Sequence, residues 1–198
     1  MIDFLAIITI MFWALVPLFW IPVHGLSAFF KKIGIFTYIT PLITWLPVVG
    51  LIYTSRLWIL SYRFELPAVL QGIGWVVFIL GIFLQLWTLR ILGGLRIIGL
   101  PEVSGIVESR IIMSGPFSVI RHPTYASHTI MFAGVFLLSG VIALGVITLL
   151  DIIIVNFIVI PLEDRELVER FGDEYRQYRK RVPAFFPGDN KEKGKGSP

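Results

Sequence analysis

Arg121, His122 and Tyr125 form a polar cluster within the run Arg121-His122-Pro123-Thr124-Tyr125. The cluster opens a stretch, residues 123 to 162, whose only formal charge is Asp151 and which closes on Glu163-Asp164. A carboxylate facing an arginine, an imidazole and a phenol can bind a charged small molecule or move a proton. The spacing brings the two groups together, because each helical pass of a bilayer needs about 20 apolar residues. Residues 123 to 162 therefore fit two antiparallel passes with a tight turn near Ser139-Gly140. Counted outward from that turn, Glu163 lies level with Gly115-Pro116, within one or two helical turns of Arg121 and His122. The expectation is a site at one membrane surface.

The elements that position this site are set by composition. The chain has 198 residues, 56% hydrophobic and 15% charged, with a mean hydropathy of +0.83, values foreign to a soluble domain. Uncharged runs at 4 to 30, 33 to 55, 66 to 89 and 123 to 162 predict an all-α integral membrane protein with five transmembrane helices, the fifth starting near Val141. The first run follows Asp3 rather than a basic residue and lacks a small-residue cleavage pattern, so it reads as a retained helix and not a signal peptide. Fifteen Lys and Arg residues fall on one side of this five-pass layout, among them Lys31, Lys32, Arg90, Arg110 and Arg121, against Arg56 and Arg63 on the other. By the positive-inside rule the site faces the cytoplasm and the amino terminus lies outside. The net charge of +4 suits anionic lipid and gives no reason to invoke nucleic acid.

Several chemistries find no support in the residues. Cysteine is absent, which removes thiolate nucleophiles and Cys-based metal sites. His24, His122 and His128 follow no metal-binding spacing, so no metal is expected. The glycines at 93, 94, 99, 105 and 115 match neither a dinucleotide fingerprint nor a P-loop.

Three segments divide the chain: helices in 1–92, a core in 93–187 and a tail in 188–198. The loop from Gly93 to Arg121 is too polar for a span and is expected to lie along the interface or fold over the bundle. Residues 162 to 182 carry Leu162, Leu167, Val168, Phe171, Tyr175 and Tyr178 at helical spacing, which predicts an amphipathic cytosolic helix, with Gly172 as a break and Pro183 as its end. The tail reads as disordered. Inside the membrane, His128 and Asp151 flank the Ser139-Gly140 turn by eleven or twelve residues. They are expected at similar depth, where they could pair, with polar glue between helices as the plainer reading. Asn156 receives the same plain reading.

Gly115-Pro116-Phe117, Arg121-His122-Pro123-x-Tyr125, a helical hairpin, Pro161-x-Glu163-Asp164, Phe171-Gly172-x-x-Tyr175-x-x-Tyr178, Val182-Pro183 and Phe186-Pro187 occur in that order. The set resembles the isoprenylcysteine carboxyl methyltransferase family, related to the membrane phospholipid N-methyltransferases, over residues 93 to 187. The resemblance implies S-adenosylmethionine as methyl donor. It implies His122, Pro123, Tyr125 and Glu163 in the cofactor site, and Arg110, Ile111, Ile112 and Phe117 along the adenosine, with Glu163 and Arg121 as catalytic candidates. It also implies a prenylated or other lipid substrate entering from the bilayer.

Residue chemistry is compatible with that implication and leaves the acceptor open. Glu163 can bind the cofactor ammonium or ribose, and Arg121, His122 and Tyr125 can donate to its carboxylate. A carboxylate acceptor needs no general base, whereas an amine must first lose a proton, which Glu163 or Asp164 could take. The leading expectation is methylation of an isoprenylcysteine-like carboxylate. A phospholipid or lipid-amine N-methyltransferase is the alternative, and a small transporter or scaffold the non-enzymatic one. One departure bears on the substrate: eukaryotic enzymes of this type tend to carry an arginine one turn before Glu163, where this chain has Val159, so Arg165 or Arg170 would have to serve.

Overall fold

The computed structural model describes residues 1–93 and 110–185. Among them the chain is all-helical. The helices are α1 (Ile2–Gly25), α2 (Ser27–Thr54), the short α3 (Arg56–Ser61), α4 (Ala68–Leu92), α5 (Pro123–Ser139), α6 (Ile142–Phe171) and α7 (Asp173–Arg181). Four of these, α1, α2, α4 and α6, are long and apolar enough to cross a membrane, and the chain is a multi-pass membrane protein. α5, expected as a fifth span, has 17 residues, about 26 Å at ~1.5 Å per residue.

Glycine sets how closely α4 and α5 approach. A Cβ on Gly134 would stand 2.6 Å from the backbone nitrogen of Phe78, and one on Gly74 2.9 Å from that of Leu138. Larger residues would force the two backbones apart, the usual reason for small residues between membrane helices. The turn between α5 and α6 falls at Gly140, as the spacing predicts, with φ +66°, where a side chain would be strained and would strike the Phe64 carbonyl oxygen. Phe64 N–H donates to Gly140 O at 2.9 Å, and Ile142 N–H to Tyr62 O at 3.0 Å. These bonds fasten the segment after α3 across the hairpin tip, where Arg63 also pairs with Asp3 at 2.9 Å.

Ala6, Ile7 and Ile10 of α1 pack with Phe132 and Val135 of α5 and Leu144 and Ile147 of α6 to form the core next to that tip. At the opposite end α1 and α6 each contain one wide π-helical turn, Val16–Trp20 and Val155–Val159. Each turn is followed within two residues by a proline, Pro22 or Pro161. Proline cannot donate to the carbonyl four residues back and its ring crowds that carbonyl, so the helix takes up one extra residue per turn there.

Two boundaries differ from expectation. The first helix ends at Gly25 rather than near residue 30, so Lys31 and Lys32 lie in the opening turns of α2. The amphipathic segment is not a separate helix from residue 162. It continues α6 without a break to Phe171, after which Gly172 (φ +58°) redirects the chain into α7. Expectations for most of the loop after Gly93, for Phe186-Pro187 and for the tail fall outside the described residues.

Candidate active site

His122 is the last non-helical residue before α5. Proline disfavours a helical backbone in the residue before it and suits the first helical position, which gives His122 φ −120° and ψ 60° and starts the helix at Pro123. The imidazole is thereby aimed across the hairpin at α6. Its Nδ1 lies 3.3 Å from Glu163 Oε2 and its Nε2 3.0 Å from Asp164 Oδ1. Facing a carboxylate on each side, the ring is doubly protonated. Burial by itself would lower its pKa, but the charges of and hydrogen bonds to Glu163 and Asp164 outweigh that and raise it to about 9.

Asp164 is the hub of the site. It accepts hydrogen bonds from His122, from Arg121 Nη2 at 2.8 Å and from the Tyr175 hydroxyl. Arg121 is fixed further by donating from Nη1 to Val182 O at 2.6 Å and Arg179 O at 3.1 Å. The backbone joins in, with Arg121 N–H bonded to Pro183 O and His122 N–H to Ala184 O. Burial and Asp164's charge raise the Tyr175 phenol well above the usual tyrosine range.

The FGxxYxxY run builds the roof. Tyr175, Tyr178 and Val182 pack with Ile111, Met113, Leu167 and Phe171, and Tyr178 donates to Phe117 O at 2.6 Å. Below that roof lies a cavity of about 580 Å³, lined by every residue singled out in the sequence: Arg110, Ile111, Ile112, Phe117, Arg121, His122, Pro123, Tyr125 and Glu163. The chain thus brings all nine together. Tyr125 stacks on His122 at 5.9 Å and is hydrogen-bonded to Glu163.

Sequence reasoning missed three things. Asp164 looked like a companion to Glu163, yet Asp164 carries the network while Glu163, a quarter exposed at its side chain, faces the cavity. The amino-terminal helices showed no motif, but Phe12, Phe19, Trp20, Tyr38 and Trp45 supply the apolar wall. Glu166, also unremarked, is buried and meets His24 Nδ1 at 3.0 Å, Lys31 at 3.3 Å and Arg170 at 3.6 Å, tying α1 and α2 to α6. Asp164 and Glu166 are legible only once α6 is known to run unbroken, since that turns these charges inward.

The His128–Asp151 pair does not form. Successive helix residues point about 100° apart, and it is Thr129 that faces α6 and donates to Asp151. His128 instead lines the cavity between Phe12 and Phe132. Asn156 donates to its own helix at Ile152 O, 2.8 Å away, rather than across helices.

The family model described as phospholipid methyltransferase matches residues 70–174. The chain belongs to that family. It is 36% identical over 80 residues to the protein-S-isoprenylcysteine O-methyltransferase of Schizosaccharomyces pombe, covering 39% of this chain and 33% of that protein. It is 36% identical over 72 residues to methanethiol S-methyltransferase 1 of Bradyrhizobium diazoefficiens, covering 36% and 24%. A third relative, the cobalt-zinc-cadmium resistance protein CzcN of Cupriavidus metallidurans, is 33% identical over 85 residues, covering 43% and 39%. The matched region spans about a quarter to two fifths of the length of these curated relatives. No solved structure matches the chain.

Proposed function

We propose that this chain transfers a methyl group from S-adenosylmethionine to an acceptor with a long apolar chain drawn from the bilayer. The observation that carries the reading is one cavity with a charged end and an aromatic end. The charged end offers Glu163 Oε2, a buried carboxylate oxygen that accepts no hydrogen bond within normal length, which suits the ammonium or ribose hydroxyls of the cofactor. Arg110, Ile111, Ile112 and Phe117 would flank the adenosine, and Tyr125 and His122 would hold Glu163 in place. A volume of about 580 Å³ is in the range for such ligands.

When bound, the cofactor supplies a sulfonium methyl group for in-line displacement, a reaction helped chiefly by positioning and exclusion of water. The roof of Tyr175 and Tyr178 would do the excluding. Arg121, with its guanidinium bonded to Asp164 and two carbonyls, acts in this reading as a positioning residue that locks the loop before α5 to the segment after α7. Fifteen Lys and Arg against two, with Lys31 at the Glu166 end of the bundle and Arg63 at the other, support α5 as a fifth pass and a site open to the cytoplasm.

For the acceptor's head, an isoprenylcysteine-like carboxylate calls for a cation in the cavity. Val159 is fully buried, and Arg165 points outward and pairs with Glu169, so Arg170, which lines the cavity beside Glu166, would fill that role. A proton-bearing acceptor is favoured by a separate observation at His128. The test is transfer of tritiated methyl from S-adenosylmethionine to N-acetyl-S-farnesylcysteine and alkyl thiol or amine probes. Extractable label that disappears with Glu163→Ala supports the reading, and no transfer to any probe by folded wild type contradicts it.

A further inference from the structure

Resting on the methyltransferase reading, this inference concerns the group that receives the methyl. His128 follows Tyr125 by three residues in α5, so the two share a side of the helix with His128 about 4.5 Å further along the axis, at ~1.5 Å per residue. Its ring lines the cavity, and the residue is only 8% exposed. Phe12 meets it edge-on at a centroid distance of 5.4 Å, and Phe132 stacks on it at 6.3 Å. Nδ1 is buried and has no hydrogen-bond partner. Leaving such a group unsatisfied costs roughly 1–3 kcal/mol, which a leucine or phenylalanine in the same aromatic setting would avoid. Thr129, next in sequence, shows the contrast, since its hydroxyl is bonded to Asp151 and to Tyr125 O.

We propose that His128 is the general base for the acceptor and that the acceptor is a neutral thiol on an apolar chain. A carboxylate has no proton to give up at neutral pH, and an alkylammonium would have to shed its hydration among aromatic rings, which is costly. A thiol enters uncharged, is mostly protonated near neutrality because its pKa is about 8.5, and meets an imidazole whose ordinary pKa is about 6.5. In the reaction the S–H proton passes to a ring nitrogen of His128, and a sulfur electron pair forms the new S–CH3 bond. The methyl–sulfonium bond breaks with its electron pair remaining on the donor sulfur, which becomes a neutral thioether. The imidazolium then releases its proton to water.

The test uses the full chain in detergent with tritiated S-adenosylmethionine and three probes: dodecanethiol, dodecylamine and N-acetyl-S-farnesylcysteine. Wild type is expected to label dodecanethiol, and His128→Phe to lose about 100-fold or more in kcat with KM little changed, the scale of general-base catalysis. Titration with S-adenosylhomocysteine should be the same in both proteins. Quenching of Trp20 and Trp45, which line the cavity, should report dodecanethiol binding in both without any donor. Should His128→Phe fail to fold, His128→Gln keeps a polar group that cannot take the proton and serves the same comparison. Undiminished thiol turnover in the variant overturns the assignment. So does a wild type that binds S-adenosylhomocysteine yet labels only the amine or the carboxylate probe, while leaving the methyltransferase reading intact. Absence of S-adenosylhomocysteine binding overturns both.

Discussion

Asp164→Asn is the substitution with the most to reveal, because it keeps the shape of the hub and removes its charge. Arg121, 7% exposed at its side chain, loses its carboxylate partner at 2.8 Å, and His122 keeps only Glu163. The rise of the His122 pKa from 6.5 to about 9 corresponds to roughly 3 kcal/mol at ~1.36 kcal/mol per unit, of which half, about 1.5, belongs to Asp164. A hydrogen bond to a charged group adds about 1.5–3 kcal/mol for Arg121. The sum, about 3–5 kcal/mol, agrees with the usual penalty for removing one partner of a buried ion pair. The assay is unfolding in mixed detergent, followed by tryptophan fluorescence across pH. His122 is raised in the folded state, so its contribution is complete below pH 6.5 and disappears as pH rises through about 9. In Asp164→Asn that decline should begin at lower pH. A stability loss under about 1 kcal/mol, or an unchanged alkaline limb, would refute the hub.

Other outcomes follow from the packing. Gly134→Val should separate α4 from α5, since even its Cβ would sit 2.6 Å from Phe78 N; a loss of about 1–3 kcal/mol is expected from overpacking, read as a lower thermal midpoint in detergent. Glu166→Ala leaves His24, Lys31 and Arg170 facing one another, and cysteine cross-linking between α1 and α6 at the His24 end should become less efficient. Pro161→Ala restores a donor where the wide turn of α6 forms and should tighten Val155–Val159; weaker S-adenosylhomocysteine binding with near-normal stability is expected, and unchanged affinity would separate that turn from the site.

How much of this was legible in the sequence depends on the kind of signal. The hairpin, its turn at Gly140 and the meeting of His122 with Glu163 follow from run length and rise per residue, quantities that lipid constrains tightly. Sidedness was readable too, because Lys31 and Arg63 do fall at opposite ends. The apolar wall from Phe12, Trp20 and Trp45 was not, since every face of a membrane helix is apolar and periodicity does not tell lipid from cavity. The Asp164 hub and the Glu166 tie were hidden by the same amphipathic pattern that suggested a surface helix: burial there follows ion pairing with Arg121 and His24, which hydropathy does not register. His128 and Asp151 were placed correctly in depth and wrongly in rotation, a 100° step that run lengths do not fix.

The central claim is that the cavity beneath Tyr175 and Tyr178 holds the methyl donor against Glu163. Isothermal titration of the detergent-solubilised protein with S-adenosylhomocysteine tests it most directly, with Glu163→Ala and His122→Ala alongside. Saturable binding by wild type that is lost in both variants is the expected result. Folded wild type that takes up no ligand, or variants that bind as tightly as wild type, would contradict it.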